Sequence, residues 1–254
     1  MNIIPVSAFS DNYIWTLVND EQQTAICVDP GQAQPVLRYL RTHKLCLDGI
    51  LLTHHHADHI GGVPELLNHF PLAWVYGPND QRIPQPFQSI TEPDSVTWLD
   101  CHFKVLEIPG HTSSHICYFE PRLEALFCGD TLFSAGCGRV FDGSLEMLFA
   151  SLNRLSHLPE STKVYCGHEY TLQNLRFANQ VEPQNTDIQL EMKKFNMPDY
   201  RCSLPSTIEK EKRINPFLRT TEPSVIQYAI NRGCSSAEPL RVFRQLREDK
   251  NIFS

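Results

Sequence analysis

Four side chains able to bind a metal ion, His54, His56, Asp58 and His59, fall within the run LLTHHHADHIGG at residues 51–62. Residues two apart in an extended chain point the same way, so His54 and His56 can bind one ion together. Asp58 and His59 come as the chain turns and can face a second ion close by. Imidazole with carboxylate suits zinc, and also iron or manganese. A solvated histidine patch or a tag has a similar composition. Here the cluster is internal, follows a strand-like apolar run and contains a placed aspartate, all of which favour a metal.

Four ligands on one loop do not fill two sites. Three further segments offer more: PGHT at 109–112, CGDT at 128–131 and CGHE at 166–169. In each, glycine precedes the candidate ligand and permits the sharp backbone turn that a convergent site needs. Singly each is weak, because a lone histidine after a strand is more often structural. Jointly they supply His111, Asp130 and His168, which complete two sites if Asp130 bridges the ions. Two divalent ions per chain lower the pKa of a bridging water and give hydroxide near neutral pH. Such a nucleophile needs no serine or cysteine, and a GxSxG elbow is absent. Direct hydrolysis without a covalent acyl-enzyme is therefore expected, with Asp58 or Asp130 available to handle the proton.

The elements that must carry these residues are legible as short runs. Strand signals lie at 13–18, 24–29, 49–53, 72–76, 104–109, 115–119, 125–128 and 163–166. Helical spacing is found at 35–43, 63–70 and 144–158. Strands interleaved with helices imply an α/β layered domain. The metal-rich loop falls between a strand and a helix, a usual place for an active site. After His168 the pattern turns helical: Leu172, Leu175 and Ala178, then Ile188, Met192 and Phe195, have helical spacing. Ser206 with Glu209 fits a capping box, Pro223 opens a run that Gly233 can close, and a last helix covers 239–250. These signals predict an α/β domain carrying the metal-rich loop at 1–168 and a small all-helical domain at 169–254.

The bulk numbers exclude several classes. A net charge of −7 argues against nucleic-acid binding as the main business of the chain. No apolar run approaches the roughly 18 residues of a membrane helix, and the start MNIIPVSAFSDNYIW has no basic and long apolar signal-peptide pattern. A cytoplasmic, monomeric protein without membrane contact is expected. Nine scattered cysteines form no CxxC pair, which predicts buried reduced thiols.

The THHHADH loop with GH at 110–111, GD at 129–130 and GH at 167–168 resembles the metallo-β-lactamase superfamily. Order and spacing resemble the glyoxalase II (hydroxyacylglutathione hydrolase) family within it, along essentially the whole chain: GHTSSH at 110–115, GDTLFSAGCGRVFDG at 129–143, GHEYT at 167–171 and REDKNIF at 247–253. The resemblance implies a four-layer αββα sandwich with a C-terminal helical domain. It also implies one ion on His54, His56 and His111, a second on Asp58, His59 and His168, and Asp130 between them. The implied reaction is hydrolysis of S-(2-hydroxyacyl)glutathione, chiefly S-D-lactoylglutathione, to glutathione and D-lactate, the second step of methylglyoxal detoxification.

Glutathione carries carboxylates, and the positions that match its binding site are Arg139, Tyr170, Arg247 and Lys250. Relatives often carry Lys-x-Tyr where this chain has Arg139-Val140-Phe141, so a phenolic donor is missing at Phe141. By spacing alone Arg241, Arg244 and Arg247, recurring every third residue, read as a solvated helix face. His55, His115, His43, His69, His102 and His157 match no ligand position, and Asp29 is either an orienting carboxylate or a plain turn residue. The rival readings are another hydrolase of the superfamily, a persulfide dioxygenase-like protein with a single iron, and a metal-binding module without catalysis.

Overall fold

The strand β2 (Asn12–Asn19) is buried along nearly its whole length, as its unbroken run of large and β-branched residues requires. It lies between β1 (Asn2–Ala8) and β3 (Thr24–Val28), antiparallel to both. The sheet continues in parallel through β4 (Cys46–Leu51), β5 (Trp74–Gly77) and β6 (Gln88–Ser89). Parallel neighbours need crossovers. One is α1 (Ala33–His43), and α2 (Ala57–Ile60) with α3 (Val63–His69) form the next. Ala33, Val36, Leu37 and Leu40 make the buried stripe of α1, against a core that includes Ile14, Ile50, Val63 and Leu66. Truncating Leu40 to alanine there costs about 2–5 kcal/mol.

Four antiparallel strands follow, β7 (Ser95–Trp98), β8 (Cys101–Glu107), β9 (Ile116–Glu120) and β10 (Ala125–Gly129). β8 alternates cleanly: Cys101, Phe103 and Val105 are buried while His102 and Lys104 face water. Tyr118 of β9 ties these strands to the first sheet, its hydroxyl donating to the carbonyl of Leu52 at 2.9 Å. Burial pushes that phenol well above its usual range.

The chain forms two compact units, one of Met1–Glu107 with Ser114–Gly129, the other of Ile108–Ser113 with Asp130–Ser254. Residues 1–195 and 202–253 are described in this computed structural model, so 196–201 and 254 of the expected helical domain lie outside the described residues. The second unit holds a small hairpin, β11 (Leu132–Phe133) and β12 (Gly136–Cys137), then α4 (Leu145–Ser156) and β13 (Lys163–Cys166). The helices α5 (Thr171–Val181) and α6 (Thr186–Lys194) come next, with β14 (Ser206–Thr207) and α7 (Ile208–Ile214) after them. A 3₁₀ turn (Pro216–Leu218), α8 (Pro223–Asn231) and α9 (Pro239–Ile252) complete it. Ala135, Leu175, Ala178, Ile188 and Ile214 share one buried cluster.

Each expected strand and helix is present with ends shifted by a few residues. β1 escaped the sequence reading because it is an edge strand carrying Pro5 and buries little of its length. The two-residue β14 interrupts the helical run and pairs antiparallel with β13. The cap of α7 is Thr207 rather than Ser206: the Thr207 hydroxyl accepts from Lys210 N at 3.1 Å, while the Ser206 hydroxyl is committed to Glu211. Gly233 follows α8 at φ +107, as a closing glycine should. Cys27, Cys101, Cys117, Cys128, Cys137 and Cys166 are buried free thiols, and Cys46 is exposed. Among the described residues no helix is long and apolar enough to cross a membrane.

Candidate metal centre

In the first unit the loop leaves β4 at Leu51 and enters α2 at Ala57. Leu52 N donates to Tyr76 O at 2.8 Å and Ile116 N to Thr53 O at 3.0 Å, so strands on both sides pin its backbone. The Thr53 hydroxyl donates its single proton to Asp29 Oδ2 at 2.7 Å, so its oxygen accepts from His54 Nδ1 at 3.0 Å. That leaves the lone pair of the fully buried His54 on Nε2, 3.1 Å from His56 Nδ1. Two ligands of one tetrahedral ion stand roughly 3.4 Å apart, so this spacing suits shared coordination.

Asp29 organises the rest. Its Oδ2 lies 3.0 Å from His59 Nδ1, which turns His59 Nε2 toward Asp58 Oδ2 at 3.4 Å. Its Oδ1 accepts from Thr53 N at 2.8 Å. Asp29, His54 and His59 bring ligand atoms within 4.8 Å of one another, but the Asp29 carboxylate is taken up by Thr53 and His59, so it orients rather than binds. Its backbone also turns, at φ 53, so the two readings of Asp29 hold together. Asn12 Nδ2 donates to Asp58 Oδ2 at 3.0 Å and fixes that carboxylate. A Cβ on Gly31 would lie 1.8 Å from Asp58 O, so only glycine fits beneath it. His115 stacks on the His54 ring at 4.6 Å. His55 Nδ1 instead faces Asp80 Oδ2 at 3.4 Å. The Arg82 guanidinium bonded to Asp80, helped by the Ser114 hydroxyl, holds that carboxyl well below the usual range. His43, His69, His102 and His157 are exposed.

In the second unit His111, Asp130 and His168 come together, all buried. Asp130 Oδ2 lies 3.6 Å from His111 Nε2 and 3.3 Å from His168 Nε2, one carboxylate oxygen between two imidazoles. His111 Nδ1 lies 2.7 Å from Arg139 O, and donating there leaves the Nε2 lone pair toward Asp130. Gly110 reaches φ +148, and a Cβ there would sit 2.4 Å from Leu148 Cα. Imidazoles whose far nitrogens are held by a carboxylate or carbonyl, facing carboxylates, fit divalent ions.

The same unit gathers the predicted binding residues. Arg247 is buried, its Nη1 donating to Cys137 O at 2.9 Å and Gly138 O at 3.3 Å, with its guanidinium over the Phe217 ring at 5.2 Å. Lys250 Nζ lies 5.7 Å from the Phe177 ring and 5.2 Å from that of Phe253. Burial, and then the charges of Arg247 and Arg139, push its pKa down to about 8. Arg139 is exposed. Tyr170 stacks on His168 at 4.7 Å. The solvated-face reading is corrected for Arg247: steps of three residues precess around a helix, and while Arg241 and Arg244 face water, Arg247 has rotated onto the buried side with Phe243 and Leu246. Phe141 is 66% exposed, its ring edge on His111 at 5.1 Å.

The sequence pattern of the metallo-beta-lactamase superfamily matches residues 14–168, and that of the hydroxyacylglutathione hydrolase C-terminus matches 169–253. A hydroxyacylglutathione hydrolase of Legionella pneumophila (strain Paris) is 52% identical over 253 residues, with all of both chains covered. One from Vibrio cholerae serotype O1 (strain ATCC 39541 / Classical Ogawa 395 / O395) is 47% identical over 259 residues, again with full coverage. The chain belongs to the hydroxyacylglutathione hydrolase family. Among solved structures, the B3 metallo-beta-lactamase BLEG-1 has a TM-score of 0.65 at 27% identity, covering 85% of this chain and 98% of its own. A di-iron-bound form of TTHA1623 gives 0.62 at 25% identity, covering 85% of this chain and 100% of its own.

The fold class is thus the α/β sandwich of the superfamily followed by the family's helical C-terminal region. With the His/Asp cluster it supports two divalent metal ions. Sequence reasoning did not single out Asn12, Thr53, Asp80, Asn174, Glu211 or Asn215. Each acts through a hydrogen bond to a residue distant in the chain, and only Thr53 lies inside a motif, the THHHADH run.

Proposed function

We propose that this chain hydrolyses S-(2-hydroxyacyl)glutathione, chiefly S-D-lactoylglutathione, to glutathione and D-lactate, in the second step of methylglyoxal detoxification. The observation that carries this reading lies in the second unit. The carboxylate shared by His111 and His168 opens the stretch 130–139, and the buried Arg247 bonds to the carbonyls of Cys137 and Gly138 in that same stretch. Metal-ligand chemistry and cations suited to a carboxylate-bearing thiol are thereby tied to one segment.

The ligand assignment is His54, His56 and His111 for one ion and Asp58, His59 and His168 for the other, with Asp130 between them; the order of the motifs along the chain supports it. Zinc fits this donor set, with iron and manganese as the alternatives. When bound, the ions supply Lewis acidity toward the thioester carbonyl and the attacking water. Asp58 and Asp130 offer carboxylate oxygens that take the water's proton and return it to the departing sulfur. Asp29 and Thr53 keep His59 and His54 in the tautomers described above. Arg139, Arg247 and Lys250 draw in the glutathione carboxylates, and Tyr170 offers a phenol beside His168.

The matched spans 14–168 and 169–253 support a catalytic domain at 1–168 and a substrate-binding domain at 169–254. A cytoplasmic monomer that works without nucleic acid or membrane completes the proposal. The deciding experiment measures hydrolysis of S-D-lactoylglutathione by metal-replete protein, with metal content determined on the same sample. Turnover at about two ions per chain is the expected result. No turnover at that loading overturns the substrate assignment.

A further inference from the structure

Residues 130–139 join the shared carboxylate of Asp130 to the Arg139 carbonyl that meets His111 Nδ1. Between them the β11–β12 hairpin has only two residues per strand and turns at Ala135, whose φ of 55 is unfavourable for a residue with a Cβ. Two cross-strand pairs cannot hold such a turn alone.

Three buried side chains from the following helices do so. Glu211 of α7 accepts from Ala135 N at 2.7 Å, the amide of the strained residue. Asn215 Nδ2 donates to Phe133 O at 3.2 Å, Gly136 O at 2.9 Å and Glu211 Oε2 at 3.0 Å. Asn174 of α5 donates to Ser134 O at 3.1 Å. Every backbone group from 133 to 136 in these bonds is thus held by a side chain that lies outside the ligand motifs in sequence. Glu211 and Asn215 are fully buried, Asn174 nearly so. A Cβ on Gly136 would come within 2.5 Å of Asn174 Nδ2, so the clamp closes tightly on the hairpin.

We propose that Glu211, Asn215 and Asn174 are positioning residues that set where Asp130 and the Arg139 carbonyl stand, and so set metal affinity at the Asp130 carboxylate. This rests on the metal assignment above, but not on the identity of the thioester. The hydrogen bonds matter more than the charge. With its oxygen in place of Oε2, glutamine still accepts from Ala135 and Asn215, and its amide can donate to the Ser206 hydroxyl, which now bonds Glu211.

The test is a cobalt(II) titration of the metal-stripped full-length protein, followed by its visible ligand-field absorption, beside thermal unfolding. Glu211→Ala should weaken cobalt binding by about 10- to 100-fold, the range seen when an outer hydrogen-bond partner of a metal ligand is lost. Glu211→Gln should remain within about threefold of the parent, because the geometry is kept. Ile188→Ala, a cavity in the cluster that also holds Ala135, serves as the control for general loosening. It should lower Tm yet leave cobalt affinity within about threefold.

The proposal is overturned if Glu211→Ala binds cobalt like the parent, or if Ile188→Ala loses as much affinity for the same drop in Tm. Loss in Glu211→Gln equal to that in Glu211→Ala also overturns it, since a matched hydrogen-bond set then fails to rescue. Should Glu211→Ala not fold, Asn174→Ala decides: binding about tenfold weaker supports the clamp, and any smaller loss overturns it. Because cobalt absorption is read without substrate, its failure is distinct from a failure of thioester hydrolysis.

Discussion

The two groups of ligands are built in opposite ways. In the first unit His54, His56, Asp58 and His59 sit on one loop between β4 and α2, so local geometry does most of the placing. One carboxylate, Asp29, together with Thr53, sets both the tautomer of His54 and the aim of His59. In the second unit His111, Asp130 and His168 come from three separate turns, and their alignment depends on bonds that reach far along the chain, such as Ala135 to Glu211. Contiguous ligands tolerate a loose surrounding; dispersed ligands inherit the rigidity of whatever holds their backbones.

The largest effect should follow Asp130, whose carboxylate oxygen lies between His111 and His168. Asp130→Ala is expected to cut kcat/KM by roughly 10³-fold or more, since it removes several kcal/mol of metal-derived stabilisation. Metal analysis should find less than the parent's content, and full loading with normal turnover would dissolve the picture of a dispersed half that depends on Asp130. Asp29→Asn comes next, with a loss of about 10- to 100-fold in metal affinity or activity. Its effect should appear in the loop ligands only; an unchanged cobalt spectrum would show that the loop needs no external orientation.

A smaller effect concerns Lys250. With a pKa pushed down to about 8, its charge is complete near pH 7 and lost as pH rises through 8 to 9. KM for the glutathione thioester should be flat below pH 7 and rise about tenfold between pH 7 and 9 if the ammonium binds a carboxylate. Arg247→Ala removes a repelling charge beside Lys250, so the upturn should move to higher pH while KM rises at all pH values. A KM that ignores both changes excludes the pair from substrate binding. The smallest effect belongs to Thr207→Ala, which removes the cap of α7. About 1 kcal/mol, or roughly 2–4 °C in Tm, should be lost with metal content intact.

The loop half was nearly complete in the sequence, because ligands and spacing are adjacent there. The dispersed half was legible as glycine-preceded residues after strands, and its ligand identities came from motif order. What holds it was not legible. Asn12 reaches Asp58 across 46 positions, and Glu211 reaches Ala135 across 76. Neither bond has a local pattern, and strands as short as β11 and β12 carry no periodicity. The capping box slipped by one residue because Ser206 and Thr207 are chemically equivalent caps until Glu211 claims one hydroxyl. Arg247 reads as solvated because a three-residue repeat looks like one face over short distances, although a helix turns 3.6 residues per cycle.

The grip on the β11–β12 hairpin takes hold of peptide groups and leaves its side chains alone. Leu132, Phe133 and Ser134 are themselves buried, and Phe133 meets the rings of His168 and Tyr170, so packing holds these side chains while hydrogen bonds hold the backbone. For an engineer the two can be tuned separately: a change at Phe133 alters the wall beside His168, whereas a change at Glu211 alters where the peptide stands. Gly136 is walled in by Asn174, so a side chain there would push on the clamp itself.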